Sequence, residues 1–493
     1  ILSGLVGSEM CIRDRPTTLL GAAFPIALRL AVDQRHVGRD VGVVVALNTL
    51  GGIVGVMLTG FVLVPGIGLV RTLAVLGALA ALIGLLAVWR GEGVGKVLRI
   101  GVAMVAVLTL AIGALTPAQH LAQLMPGARN GQISFYAEGR GGTVAVIEQG
   151  RGDNRFSRLY IQGVSNTGDA MPSLRYMRLQ ALLPLLIHNG EPRSALVIGF
   201  GTGITAGAML RYRDLQHPVV AELLPEVLAA APRFKGNFDA IHDPRLDIRL
   251  RDGRRELLRS AERYDMITLE PPPPSAAGVV NLYSRDFYEL AASRLEEDGI
   301  VAQWLPLPTQ NDEESRSLVR SFIDVFPNAT LWTTEFHEML LVGSLRPLHL
   351  DVTRIRARFE QPDVAQALSE VGIDSVEALL ATWVTDRDGL VRYAGDAAPV
   401  TDDQPRIEYA PWVRSKEIAR VLPTLLALRT APPLENAVPS VRASVDDNWA
   451  RLRRFYDMSL SAYRGDRQAW AREARQVVRE DGDNPYYLSL IHI

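Results

Sequence analysis

A glycine-rich turn after an apolar run constrains this chain more than any other feature. In SALVIGFGTGITAG, residues 195–198 predict a buried strand, and Gly199, Gly201 and Gly203 follow at alternate positions. A strand that turns on glycine into a helix lets a ligand approach the backbone, and the helix N-terminus favours polar or anionic groups. The dinucleotide fingerprint is G-x-G-x-x-G, but the sixth position here is Ile204. The spacing is instead G-x-G-x-G, which is common in proteins that bind S-adenosyl compounds. A plain tight turn is the structural alternative.

Acidic residues follow three of the strands predicted after this turn. The strands are predicted at residues 219–221, 246–250, 264–269 and 299–304, the last after a helical segment that ends at 298–299. Glu222 lies roughly 20 residues past the glycines, where a doubly wound fold places a carboxylate on ribose hydroxyls. Asp252 and Glu270 follow the next two strands. Because the carboxyl ends of parallel strands share one edge, these acids predict a binding site at that edge.

The same part of the chain carries a family resemblance. The run YDMITLEPPPPSAAGVVNLYSRDFYELAASRLEEDGIVAQWLPL resembles the catalytic half of the spermidine synthase, or polyamine aminopropyltransferase, family. It is most similar to the membrane-fused branch, in which transporter-like helices precede the synthase domain. The similarity covers roughly residues 132–345 and extends to the flanks, including TDDQPRIEY at 401–409.

The resemblance implies a role for each residue of the predicted site. The glycine turn would surround the donor, Glu222 would bind the ribose hydroxyls, and Asp252 would face the adenine amino group. Glu270 would be the general base, one methylene longer than the aspartate of the family. Tyr176 and Tyr283 would line the amine side. The structural alternatives are a solvated strand end for Glu222 and a turn former for Asp252.

Two stretches depart from the family pattern on the amine side. The family has an acid-rich D-S-S-D-P stretch, whereas here Glu270 is followed by four prolines, so Pro273 stands where a second acid would bind the amine. Upstream, Met177 and Arg178 replace a polar and an acidic residue that follow Tyr176 in the family. Arg178 would repel a cationic polyamine if it faced the site. The resemblance therefore implies the nucleoside site more directly than a polyamine substrate.

Other polar residues near these motifs favour structural roles. Asp265 lies at the start of its predicted strand, away from the ligand edge, and we expect it to be structural. Asp402 and Asp403, in TDDQP, suggest a turn that docks one segment on another. Tyr283 and Asp286, in NLYSRDFY, either line the site or cap the next helix.

Three long apolar runs precede the globular part. Residues 41–64, 71–88 and 97–115 are each long enough to cross ~30 Å of hydrocarbon. The only charged residue between 41 and 89 is Arg71. Buried core helices are the alternative, but uncharged runs of this length predict a multi-pass protein of a bacterial inner membrane, with the lipid bilayer as a partner.

The orientation of these spans conflicts with a cytoplasmic donor. Basic residues lie in two loops, at Arg29, Arg35 and Arg39 and at Arg90, Lys96 and Arg99. The positive-inside rule makes both loops cytoplasmic, so the third span would deliver the globular domain to the outside. S-adenosyl donors are made in the cytoplasm. Either one span is miscounted or the domain does not use a cytosolic donor, and the side of the membrane stays open.

We predict an α-helical transmembrane segment followed by a small β-hairpin domain and an α/β Rossmann-like domain of the S-adenosylmethionine-dependent transferase type. The segments are a non-native end at 1–15, transmembrane helices of a partial bundle at 16–118, a small antiparallel β domain at 130–170, the Rossmann-like synthase domain at 171–345, a helical or mixed extension at 346–440, and a C-terminal helical hairpin at 441–487. Both termini resemble sequencing-adaptor readthrough, so further N-terminal helices are expected. The hairpin either packs on the domain or binds a partner.

Composition narrows the function classes. A net charge of −2 gives no reason to expect nucleic acid as a partner. The single cysteine, Cys11, excludes an intramolecular disulfide and a cysteine metal cluster, and the eight histidines show no metal-ligand spacing.

The leading interpretation is a membrane-anchored aminopropyltransferase that uses decarboxylated S-adenosylmethionine as co-substrate, an amine as acceptor and no permanently bound cofactor. One alternative is an S-adenosylmethionine-dependent methyltransferase with a less cationic acceptor. Another is a non-catalytic domain that senses a nucleoside or polyamine on a transporter-like protein. A homodimer is an expectation from the resemblance alone.

Overall fold

The structure is a computed structural model that describes residues 18, 21–33, 35–117, 120–150, 152–276, 278–408 and 417–491. Cys11 and the predicted non-native end lie outside the described residues, as do Tyr409 of the TDDQPRIEY motif and the last two residues. The chain divides into two compact units, Ile1–His120 and Leu121–Ile493.

The first unit is helical. Its helices are α1 (Gly21–Ala31), α2 (Val37–Leu58), which continues through a π-helical stretch (Thr59–Leu63) into α3 (Val64–Ile67), α4 (Leu69–Arg90) and α5 (Lys96–Leu115). The stretches Val37–Ile67, Leu69–Arg90 and Lys96–Leu115 are long and apolar enough to cross a membrane. Very few of their side chains are buried, and these stretches overlap the apolar runs found in the sequence.

A small antiparallel sheet follows at the start of the second unit. After α6 (His120–Gln123) and a 3-10 turn (Pro126–Arg129) come β1 (Gln132–Glu138), β2 (Thr143–Gln149), β3 (Phe156–Ile161) and β4 (Val164–Gly168), which pair in chain order. The predicted antiparallel layer is confirmed. Strands β3 and β4 are joined by only two residues, Gln162 and Gly163, both with positive φ as in primed hairpin turns.

The large sheet has eight strands. They are β5 (Ser194–Ile198), β6 (His217–Glu222), β7 (Asp247–Leu250), β8 (Tyr264–Leu269), β9 (Leu295–Pro306), β10 (Asn328–Glu335), β11 (Glu338–Ser344) and β13 (Trp383–Thr385), while β12 (Leu350–Asp351) pairs separately with β14 (Leu434–Glu435). The spatial order is β7-β6-β5-β8-β9-β11-β10-β13, and the first five strands are parallel. The strand order reverses between β5 and β8, where such sheets open a ligand crevice at the carboxyl ends of the strands.

Helices cover both faces of this sheet. They are α7 (Met171–Ile187), α8 (Ile204–Arg211), α9 (Pro225–Ala230), α10 (Gly253–Arg259), α11 (Arg285–Ser293), α12 (Asp312–Ile323), α13 (Val352–Phe359), α14 (Pro362–Ser369), α15 (Val376–Leu380), α16 (Arg387–Ala394), α17 (Ile418–Leu426), α18 (Pro439–Arg464), α19 (Arg467–Asp481) and α20 (Pro485–Ile491), with 3-10 turns at Gly152–Asn154, Ala231–Arg233, Ala240–His242 and Val280–Leu282. Successive residues of β5 enter opposite cores: Val197 joins one buried cluster, and Leu196 and Ile198 join the other. This alternation explains why the strand is apolar throughout.

One predicted boundary is wrong. The helix before the fifth strand was expected to end at 298–299, but α11 ends at Ser293 and β9 begins at Leu295. Leu295 is buried and pairs with Tyr264, whereas the next pair joins Met266 to Ile300. The intervening acidic residues form a bulge in the strand, and their charges gave the sequence the appearance of a helix surface.

The C-terminal helices pack against the large sheet within the second unit. Helices α18 and α19 contact each other, and Leu452, Phe455 and Tyr456 of α18 join the buried cluster on one face of the large sheet. Of the two alternatives for this hairpin, the structure therefore shows packing on the domain.

Asp265 joins the starts of β5 and β8, as predicted for a structural residue. Its Oδ2 accepts hydrogen bonds from the backbone N–H of Arg193 and Ser194, at 2.8 and 2.9 Å, and from the Ser194 hydroxyl at 2.9 Å. The two central strands thus start in a fixed register.

We expect Asp265→Ala to lower the free energy of unfolding by about 2 kcal/mol, because three hydrogen bonds to one charged oxygen are lost. Thermal denaturation of the full chain in detergent would measure this. Glu191→Ala is the control, since Glu191 pairs with Arg193 at the same end of the sheet while its side chain is 83% exposed. Equal melting temperatures for the two variants would contradict the assignment.

Candidate functional site

The glycine turn adopts a backbone conformation that other residues rarely reach. Gly199, Gly201 and Gly203 have φ values of 92°, 54° and 82°. Gly203 immediately precedes α8, so the turn delivers the chain directly into that helix. A Cβ on Gly199 would lie 3.6 Å from the carbonyl oxygen of Glu270, which places β5 and β8 side by side at this edge. The spacing of the glycines therefore follows from the backbone of the turn.

Glu222 is not a solvated strand end. It is the last residue of β6 and is 6% exposed. Its Oε2 accepts from the backbone N–H of Phe200 at 2.7 Å, and its Oε1 accepts from that of Leu224 at 2.8 Å. Burial raises the pKa of this carboxyl, and the backbone hydrogen bonds oppose the rise. The carboxylate thus lies against the glycine turn.

Asp252 lies at the same edge and caps a helix. Its Oδ1 accepts from the backbone N–H of Arg255 at 2.9 Å at the start of α10. The preceding residue, Arg251, donates its N–H to the carbonyl of Glu222 at 2.8 Å. Gly253 packs against Ile198 at the end of β5. The structural role expected for Asp252 is therefore present, because one of its carboxylate oxygens caps α10. The residue also lies at the same sheet edge as Glu222.

Glu270 follows β8 and is held by side chains from three other elements. Its Oε1 accepts from the hydroxyl of Tyr176 on α7, and its Oε2 accepts from that of Thr205 on α8 at 3.4 Å. The Tyr176 hydroxyl also lies 2.9 Å from the hydroxyl of Thr167 on β4. Burial raises the pKa of Glu270 to about 7, although hydrogen bonds from Tyr176, Thr205 and Thr167 favour the ionised form. A carboxyl with this pKa can accept a proton near neutral pH.

Sequence reasoning missed several neighbours of Glu270. Thr167 and Thr205 are uncharged, and Trp304 reads as one more apolar residue of a buried strand. The ring of Trp304 stacks on Tyr176 with centroids 6.2 Å apart and an interplanar angle of 20°. The position of Thr205 in the first turn after the glycines was the one available signal.

Tyr283 is buried near the same carboxylate. Its hydroxyl has no hydrogen-bond partner among the residues that the structure describes. Burial raises its pKa well above the ordinary value, and the charges of Glu338 and Glu270 add to the rise. The suggestion that Tyr283 or Asp286 caps the next helix is wrong, because Ser284 is the cap and accepts from the N–H of Phe287 at 3.1 Å.

The TDDQP segment docks as predicted. Asp402 bonds to Arg254 and to the hydroxyl of Ser284, and its own N–H donates to Asp286 at 3.0 Å. These contacts attach the segment to α10 and to the start of α11.

Arg178 does not face the site. Its guanidinium is buried, donates to the carbonyl of Ala367 and to Glu370 at 2.7 Å each, and lies over the ring of Phe238. The guanidinium of Arg178 therefore points towards the C-terminal end of α14. Met177 is also buried, and its sulfur accepts from the Thr202 hydroxyl at 3.4 Å. Arg178 thus brings no positive charge to the site, and Met177 packs in a buried cluster with Tyr176, Ile204 and Trp304.

The chain is similar to known proteins in sequence and in fold. The family model for the spermine/spermidine synthase domain matches residues 174–339. A polyamine aminopropyltransferase of Nitrosomonas europaea is 33% identical over 188 residues, which are 36% of this chain and 57% of that protein. The polyamine aminopropyltransferase 2 of Pseudomonas aeruginosa is 31% identical over 253 residues, 50% of this chain and 72% of that protein. A crystal structure of spermidine synthase from Thermotoga maritima superposes with a TM-score of 0.44 at 18% identity, covering 54% of this chain and 88% of that one.

The raised pKa of Glu270 predicts a pH-dependent cost in stability. Since the carboxyl ionises near pH 7 in the folded protein and near 4.5 in the unfolded chain, its contribution to stability is lost as pH rises through about 7. We therefore expect Glu270→Gln to unfold with a free energy about 3 kcal/mol higher than the wild type at about pH 8, with the difference vanishing below about pH 4.5.

Thermal or urea denaturation at several pH values would test this expectation. Glu289→Gln is the control, because the side chain of Glu289 is 61% exposed. A difference in the free energy of unfolding between Glu270→Gln and wild type that does not change with pH would contradict this expectation.

Proposed function

We propose that this chain, which belongs to the polyamine aminopropyltransferase (spermidine synthase) family, transfers an aminopropyl group from decarboxylated S-adenosylmethionine to an amine. The observation that carries the proposal is the environment of Glu270: a carboxyl with a pKa of about 7 beside the glycine turn, fixed by Tyr176 and Thr205. No permanently bound cofactor is needed for this chemistry.

The nucleoside would lie along the edge formed by β5, β6 and β7. In this proposal the glycine turn leaves room for the donor, because Gly199, Gly201 and Gly203 present backbone where other residues would present side chains. Glu222 binds the ribose hydroxyls with the lone pairs that its backbone hydrogen bonds leave free. Asp252 receives the adenine amino group.

The reaction is a displacement at carbon. The neutral amine attacks the methylene carbon bound to the sulfonium, so a C–N bond forms while the C–S bond breaks. The electrons of the broken bond return to sulfur, and neutral methylthioadenosine leaves. The proton released by the newly formed ammonium passes to Glu270. Holding the two reactants together and accepting this proton supply the acceleration.

The binding and turnover of the full chain in detergent test this function. We expect calorimetry to show binding of decarboxylated S-adenosylmethionine and methylthioadenosine, and we expect turnover with putrescine as acceptor. Glu270→Gln should lower turnover at least a hundredfold while donor affinity stays within about twofold, since a loss of proton acceptance costs on this scale.

Three other outcomes would contradict parts of this proposal. Preference for S-adenosylmethionine over its decarboxylated form would favour a methyltransferase. Donor binding without turnover would favour the sensing domain, and unchanged turnover in Glu270→Gln would remove this residue as the base.

We also propose that the three long apolar helices anchor the domain in a membrane, as in the membrane-fused branch. Their length, apolar composition and exposed side chains support this. We expect the expressed chain to stay in the membrane fraction after an alkaline carbonate wash. A C-terminal phosphatase or fluorescent-protein fusion would report the side of the domain. Release of the chain into the soluble fraction would contradict membrane anchoring.

A further inference from the structure

The outward face of α19 is basic. Arg472, Arg475 and Arg479 are exposed and lie at i, i+3 and i+7, so their side chains form one stripe along the helix. On the other side of the helix, Ala474 and Val477 are buried and join the cluster on one face of the large sheet. We call the three arginines the basic stripe of α19.

The neighbouring helix pairs its basic residues within the hairpin. On α18, Arg451 lies 3.1 Å from a carboxylate oxygen of Asp481, and Arg453 lies 3.0 Å from one of Asp457. Each of these guanidinium groups therefore has an anion supplied by the chain itself, which neutralises much of its charge.

The basic stripe has little such compensation. No carboxylate of the described residues lies within 4.0 Å of Arg475 or Arg479, and Arg472 has only its sequence neighbour Glu473 at 3.4 Å. The other acid close by, Glu480, pairs with a basic residue of α18. Three positive charges thus face outward from one helix, although the whole chain has a net charge of −2. Such a local concentration of charge attracts an anionic partner.

The partner that this face fits is an anionic lipid surface. Guanidinium groups donate in a fork that matches phosphate oxygens, and a helix with one apolar and one basic face is typical of helices that lie on membranes. Val478 flanks the basic stripe and is 45% exposed, so an apolar side chain is available for the boundary between headgroups and acyl chains. The same chain carries three helices long and apolar enough to cross a membrane. A chain tethered in this way presents the stripe to lipid at a high effective concentration.

We propose that the basic stripe of α19 binds the phosphate groups of anionic phospholipids in the membrane that anchors the chain. The assignment rests on the proposed membrane anchoring and is independent of the chemistry at Glu270. One basic residue at an anionic surface strengthens association roughly fivefold, so three together favour the bound state roughly a hundredfold. The interaction weakens as salt rises, because it is electrostatic and exposed to solvent.

Fluorescence of the full chain reconstituted in vesicles tests this assignment. A solvent-sensitive dye is attached at Val478→Cys, and Cys11→Ser removes the single native cysteine. The vesicles contain either phosphatidylcholine alone or equal parts of phosphatidylcholine and phosphatidylglycerol. Since both leaflets then have the same composition, the direction in which the chain inserts does not affect the comparison.

We expect the neutral quencher acrylamide to quench the dye at least about twofold less in the vesicles that contain phosphatidylglycerol, because bound headgroups shield the helix. The difference should disappear at about 1 M NaCl, where the screening length falls to about 3 Å. This salt reversal is measured on the wild-type stripe, so it tests the assignment without any change to the arginines.

Changing all three arginines of the basic stripe to glutamine should abolish the difference between the two kinds of vesicle. The matched control removes the same charge from three exposed arginines on other elements, Arg233→Gln, Arg259→Gln and Arg392→Gln, and should keep the difference. We expect both triple variants to melt within about 3 °C of the wild type in detergent, since exposed substitutions change stability little.

The other outcomes separate this assignment from membrane anchoring. Equal quenching in the two kinds of vesicle, or an equal loss of the difference in both triple variants, overturns the lipid contact and leaves anchoring intact. Protection of the dye in phosphatidylcholine alone that salt does not change would assign the face to a protein contact and also overturn the proposal. A chain that alkaline carbonate releases from the vesicles overturns both proposals.

Discussion

The hydrogen bond between Tyr176 and Glu270 joins the parts of the second unit on which the site depends. It connects α7 to the end of β8, and Thr167 extends the contact to the small antiparallel sheet. Thr205 brings the helix after the glycine turn to the same carboxylate. Four separate elements thus converge on one partly buried acid. The raised pKa of Glu270 is a consequence of that convergence, because each element that approaches the carboxylate also removes water from it.

Residues whose role follows from local backbone could be predicted from the sequence. The positive φ values of the glycine turn and the position of Glu222 at the end of β6 both depend on short stretches of sequence. Strand β8 was predicted with its observed bounds for the same reason, since its apolar run ends at the acid and the prolines. The bulge at the start of β9 was missed because local charge gives no information on pairing with Tyr264.

Side-chain direction and cross-strand neighbours could not be predicted. Nothing in the residues around Arg178 shows that its charge is directed towards Ala367 and Glu370. Glu338 is paired with Pro306 of β9, and this register depends on the whole sheet. Of the departures from the family pattern, Arg178 pairs with Glu370, and Met177 packs beside Tyr176.

The hydroxyls of Tyr456, Tyr463 and Tyr486 contact Thr333, His337 and the backbone N–H of Phe336 in the hairpin of β10 and β11. These contacts limit the fragments into which the chain can be cut. The family match stops at residue 339, within the hairpin that these tyrosines cover from more than a hundred positions further along the chain. A fragment trimmed to the residues that the family model matches would expose Phe336 and remove the contacts that Tyr456, Tyr463 and Tyr486 make with the hairpin. The smallest fragment that keeps these contacts thus includes α18 to α20, and its boundaries differ from those that sequence similarity alone would suggest.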